Sequence, residues 1–117
     1  MSRRVVITGI GLVSSLGIGT ETNWQALSSG TSGVSRITKF DVSGFAAQIG
    51  AEVKGFDPLQ FVEKKDVKKM DVFIQYAIAA SQFAMDDSKL QITGANAPDV
   101  GVFIAWGIGG FITTERE

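Results

Sequence analysis

Four lysines within six residues, Lys64, Lys65, Lys68 and Lys69, are the densest charge cluster of the chain. Ammonium groups at that spacing can dock an acidic partner; with nothing to hold, they are a solvated face. The chain has 11 basic and 12 acidic residues and a net charge of −1, so it lacks the broad basic field that a nucleic-acid backbone requires. Nucleic acid is not an expected partner. The chain also contains no cysteine and no histidine. That removes the thiolate nucleophile, the imidazole base and the commonest transition-metal ligands. No catalytic residue, metal ligand or cofactor is expected within these residues.

Two glycine clusters invite a ligand. Thr8-Gly9-Ile10-Gly11 could bring backbone amides to a pyrophosphate, but a dinucleotide turn needs a third glycine at position 14, where Ser14 stands. A strand-closing turn is the better reading of that segment. Gly107-Ile108-Gly109-Gly110 lacks the lysine and the serine or threonine of a phosphate loop. It reads as a strand-to-helix turn, or as a wall where Ile108 faces a ligand and Gly107 keeps the space open.

The elements that would position these groups follow from pattern. With 44% apolar residues and a mean hydropathy of +0.19, the 117-residue chain is globular material. Residues 64–87 read as one long helix with Asp71, Gln75, Gln82 and Asp86 in a narrow polar stripe and apolar residues around most of the rest. Such a helix needs cover from other layers, and Ala77, Ala79, Ala80 and Ala84 are small enough to let a neighbour approach closely. Its lysines stand at the end where the helix dipole favours anions, which argues that the charge has a use. Residues 4–7 and 100–105 are β-rich runs that end in glycine turns, so both read as buried strands. Between them, Thr22 to Gln25 has the spacing of a capping box and Gly30 is placed to end that helix. Residues 47–53 alternate as a strand, with Ala47, Ile49, Ala51 and Val53 on one face. Asp57-Pro58 supplies an N-cap and an N1 proline for a short helix through Val62, and residues 111–117 start another. Strand, helix, strand in alternation favours an α/β fold with parallel pairing.

No apolar run reaches the roughly 18 residues that a membrane span needs, so no membrane is expected. Arg3-Arg4 and the valines after them imitate a secretory leader, but Thr8, Gly9 and Gly11 interrupt it. The absence of cysteine fits a reducing compartment, and the expected location is the cytoplasm.

Taken together, VVITGIGLVSSLG at residues 5–17, W-x-x-L-x-x-G from Trp24 to Gly30, Ser32-Gly33-Val34, KKMD-x-FIQYA at residues 68–77 and GIGG at 107–110 resemble the start of the β-ketoacyl-acyl carrier protein synthases. Within that family the likeness is closest to the synthase II branch. The resemblance implies a thiolase-like fold, an αβαβα sandwich of two similar halves, of which residues 1–117 are the opening, incomplete part of the N-terminal half. It implies a homodimer for the complete enzyme and a decarboxylating Claisen condensation. In that reaction a cysteine holds the acyl group, malonyl-carrier protein loses carbon dioxide with help from two histidines, and the carbanion extends the chain. All three residues lie beyond the portion matched here. By resemblance, Lys65, Lys68 and Lys69 dock the acyl carrier protein, and Ile108 lines the acyl pocket. Trp106 departs from the family, which has a serine before GIGG, and an indole in a tight site costs about 1–3 kcal/mol.

Two other readings stand beside this one. The chain could be a short paralogue that keeps the lysine patch as a binding module and has lost the chemistry. Alternatively, Gly9 and Gly11 could serve a nucleotide-binding α/β domain.

Overall fold

A computed structural model of the chain describes residues 3–110. The long helix carries β1, the 9–11 segment and the Phe56–Phe61 turn, and it is shorter than its pattern suggests. A single helical turn in the lysine region is cut off from it by an extended residue at Asp71. Among the described residues the elements are, in chain order, β1 (Val13–Ser14), β2 (Gly17–Ile18), α1 (Thr20–Ser28), β3 (Ser35–Arg36), β4 (Ile49–Gly50), a 3-10 turn (Pro58–Gln60), α2 (Lys64–Val67, the lysine turn), α3 (Val72–Ser88) and a second 3-10 turn (Ala97–Asp99).

The two ladders are antiparallel and short. Val13 faces Ile18 in one, and Ser35 faces Gly50 in the other. Helix α1 starts two residues before the expected capping box. Its N-cap is Gly19, at φ 90° and ψ 157°, in a region that glycine tolerates. The buried amide of Asn23 does the tying instead. Asn23 donates to Gly17 O at 2.8 Å and to Gly19 O at 2.7 Å, and accepts from the Ser14 hydroxyl. The other end of α1 matches expectation, with Gly30 at φ 71°. Gly30 N bonds Leu27 O and Thr31 N bonds Ala26 O, which together close the helix as a Schellman motif.

The Asp57 cap also matches, since its carboxylate accepts from Leu59 N at 3.0 Å ahead of Pro58. The turn it opens is a 3-10 turn ending at Gln60 rather than a helix through Val62. An aromatic cluster seats this turn on α3. Phe56 lies edge-on to Tyr76 at 4.8 Å and stacks on Phe61 at 5.8 Å, and Phe61 meets Phe83 at 5.3 Å.

On a neighbouring face, residues 9–11 run along the helix backbone. A methyl group on Gly9 would come within 2.6 Å of Ser88 N, and one on Gly11 within 2.6 Å of Ala84 N. The small alanines do admit a close neighbour. Ile10 N donates to Asp87 Oδ2 at 2.8 Å and fixes the register of that contact.

The expected strands are the main difference. Residues 4–7 and 100–105 join no ladder among the described residues, and Val5 is 93% and Phe103 98% exposed. In residues 47–53 only Ile49 and Gly50 pair, and Ile49 is exposed. A central strand is defined by neighbours on both edges and cover on both faces, and the described residues supply neither. The only buried apolar side chains among them are Val42 and Ala79. The accessible surface is 9501 Å², against roughly 6,200 Å² for a compact monomer of this mass. The radius of gyration is 17.5 Å, where a compact domain of this length has about 13 Å. The helix start expected at 111–117 lies outside the described residues.

Glu52 holds the loop between the β3 and β4 strands. It accepts from Thr38 Oγ1 at 2.8 Å and from the backbone amides of Thr38 and Lys39 at 3.1 Å. The Thr38 hydroxyl bond, joined by these amides, holds the carboxyl below its usual value. A group whose folded pKa is depressed stabilises above its unfolded pKa and loses that contribution as pH falls through the folded value. Amide exchange at Thr38 and Lys39 is therefore expected to be slowest near neutral pH, relative to intrinsic rates. Protection should fall below pH 4.5, and Glu52→Gln should remove that pH dependence; an unchanged profile would deny Glu52 this role.

Candidate functional site

The lysine cluster sits on α2 and the bend after it. Lys64 and Lys65 open the single turn, Lys68 caps it in helical conformation, and Lys69 follows. The expected conflict with the dipole of the long helix does not arise, because the lysines lie outside α3. All four are exposed. Lys65 pairs with Glu63 at 2.7 Å and Lys69 with Asp66 at 3.0 Å. Lys64 and Lys68 form no ion pair with another described residue, and their i, i+4 spacing puts them on one side of the turn.

What positions this turn is Gln75. It was expected on the wet stripe of the helix, yet it is 6% exposed. Its amide nitrogen donates to Met70 O at 2.9 Å and to Val67 O at 3.2 Å. Val67 is the last residue of α2 and Met70 lies in the bend after it, so one side chain near the start of α3 holds the end of α2 in place. A sign of the break was present in the sequence: Asp71 is an N-cap residue type directly before the apolar run. Gln75→Ala is expected to destabilise the lysine turn by about 1–2 kcal/mol. Faster exchange of the Val67 to Asp71 amides, with that of residues 80–88 unchanged, would report it; no change would mean that water replaces the amide at no cost.

The second feature is an apolar cavity of about 600 Å³ between α3 and the 104–106 segment. Phe73, Ile74 and Ala77 form one side, and Val13, Ile104 and Trp106 the other. The volume is that of a small-molecule site. Trp106 tilts over Phe73 with ring centroids 5.9 Å apart. Both rings crowd Gly109, where an added methyl group would meet Phe73 Cζ at 2.6 Å.

Neither Ile108 nor Gly107 borders this cavity. Ile108 is 86% exposed and does not line this cavity, and nothing lies within 4 Å of a methyl group built on Gly107. Trp106, expected to overpack a tight site, instead borders open space. Sequence reasoning missed Phe73 as its partner. A Phe and a Trp separated by 33 positions give no periodic signal. No group of three or more potential metal ligands occurs among the described residues, and none of their helices is long and apolar enough to cross a membrane.

Residues 2–117 match the family described as beta-ketoacyl synthase, N-terminal domain. The protein of Coxiella burnetii named 3-oxoacyl-[acyl-carrier-protein] synthase 2 is 51% identical over 115 residues, which are 98% of this chain and 28% of that protein. The Vibrio harveyi protein of the same name is 50% identical over 108 residues, 92% of this chain and 26% of its own length. A solved structure, the ishigamide ketosynthase/chain length factor, aligns with a TM-score of 0.69 at 40% identity, over 76% of this chain and 22% of that one. The chain thus spans 26–28% of these two named relatives. The match places it in the thiolase-like α/β class, of which the described residues form only a part. With the domain match spanning nearly every residue and half of them identical to a named relative, the chain belongs to the β-ketoacyl synthase family, in the N-terminal domain.

Proposed function

We propose that the chain is part of a 3-oxoacyl-acyl carrier protein synthase of fatty acid biosynthesis and contributes the carrier-protein dock. The observation that carries this reading is the lysine turn, four exposed cations held by Gln75 beside the head of α3. An acidic carrier protein would be steered to it by charge, with Lys65, Lys68 and Lys69 in contact. The whole enzyme would hold an acyl group as a thioester on a cysteine. Loss of carbon dioxide from malonyl-carrier protein leaves a carbanion, which attacks the thioester carbonyl and expels the thiolate to give a 3-oxoacyl product. These 117 residues contain neither the cysteine nor the histidines of that reaction, so their own share is binding. Gly107 and Ile108 would form one wall of the acyl pocket in the complete enzyme, a cytoplasmic homodimer.

A second reading, a truncated paralogue that acts only as a carrier-protein binding module, is favoured by the same turn, since the Gln75 hydrogen bonds and the backbone bonds that close it lie within residues 63–75. Titrating the chain with acyl carrier protein at low salt, by biolayer interferometry, tests both. Saturable association without 3-oxoacyl product is the expected result, and no association would sink both. Cooperative unfolding of the chain would favour the module, and a molten or aggregating chain the enzyme part.

A further inference from the structure

Residues 63–69 carry four lysines and two carboxylates, a net charge of +2. The carboxylates are not spread among the lysines at random. Glu63 Oε2 lies 2.7 Å from Lys65 Nζ, and Asp66 Oδ1 lies 3.0 Å from Lys69 Nζ. Each thus covers a lysine assigned to the dock, while Lys64 and Lys68 keep open charges. We infer that Glu63 and Asp66 act as built-in competitors of the carrier protein, damping the field of the lysine turn and sparing Lys64 and Lys68 for the first encounter.

The inference rests on the docking reading above and adds two acids and Lys64 to it. Pairs this exposed contribute little to folding. Glu63 does not cap α2 with its side chain, and α2 is held by backbone bonds and by Gln75. What the two acids do change is the field at a distance, which follows net charge and governs the encounter rate. Replacing both by neutral isosteres takes residues 63–69 from +2 to +4. It also leaves Lys65 and Lys69 with no intramolecular pair to break before binding. On this view Lys64 and Lys68 make the first contact, and Lys65 and Lys69 exchange an internal carboxylate for one of the partner's.

The test is the association rate of acyl carrier protein with the chain and with its Glu63→Gln/Asp66→Asn variant, at low and at physiological ionic strength. The variant should associate roughly three- to tenfold faster at low salt and show a steeper salt dependence. Far-UV circular dichroism should be unchanged, and Glu63→Gln alone, at a fully surface position, should give part of the gain. An unchanged rate, in a protein whose Lys65→Glu/Lys68→Glu/Lys69→Glu form has lost binding, would overturn the inference and leave the dock standing. A slower rate would overturn it too, because the acids would then be holding the lysines in place for the partner. If the triple lysine variant binds normally, the docking reading itself falls.

Discussion

Association of acyl carrier protein with the chain is expected to slow by roughly 10- to 100-fold when Lys65, Lys68 and Lys69 are all replaced by glutamate. The triple change turns residues 63–69 from a net charge of +2 to −4, so an acidic partner meets repulsion where it had attraction. The loss should lie mainly in the on-rate and shrink as salt is added, because exposed charges are screened beyond about 8 Å at physiological ionic strength. Stability should barely move, since all three side chains are exposed. Stopped-flow or interferometry traces at two salt concentrations give the answer. Equal on-rates for the two proteins at low salt would remove the lysine turn from the interface.

A second large effect is expected far from the lysines. Gly11→Ala should cost about 2–3 kcal/mol. The added methyl group would collide with Ala80 O and stand 2.6 Å from Ala84 N, and a helix backbone cannot retreat as a flexible side chain would. The N-terminal track must then lift from α3, and the Ile10 to Asp87 hydrogen bond goes with it. Gly94→Ala is the control, since nothing lies within 4 Å of the methyl group there. Hydrogen exchange across residues 80–88 should accelerate in Gly11→Ala and not in Gly94→Ala; matched protection in both would mean that the close approach carries no weight.

How much of this was readable in the sequence depends on where each signal originates. Features decided within a few residues were legible. Asp57-Pro58 caps its turn, Gly30 closes α1, and Asp71 to Ser88 holds a helix with alanines where a neighbour approaches. The family, too, was legible from ordered motifs. What failed depended on partners far along the chain. Residues 4–7 and 100–105 have strand composition, but a ladder needs a neighbour, and none is found among the described residues. The Thr22 to Gln25 capping box lost to Gly19 because Asn23 is used inside, on Gly17 and Gly19. Gln75 fits a polar stripe if the helix is continuous from residue 64; once the chain bends at Asp71, the same amide reaches the Val67 and Met70 carbonyls. The lysine cluster is visible in the sequence, whereas its split into two paired and two open cations depends on which way Glu63 and Asp66 turn. The cavity bordered by Trp106 and Phe73 gave no sequence signal, because its two rings come from positions 33 apart.

Residues 5–8 and 100–105 join no ladder among the described residues. VVIT and VGVFIA present β-branched and aromatic side chains together with backbone groups that no sheet has claimed. Such segments are templates for strand addition between molecules. The chain's colloidal behaviour should therefore be set by its concentration more than by its net charge. Turbidity should appear first in concentrated stocks, and a lysine placed at Val102 or Phe103 should delay it.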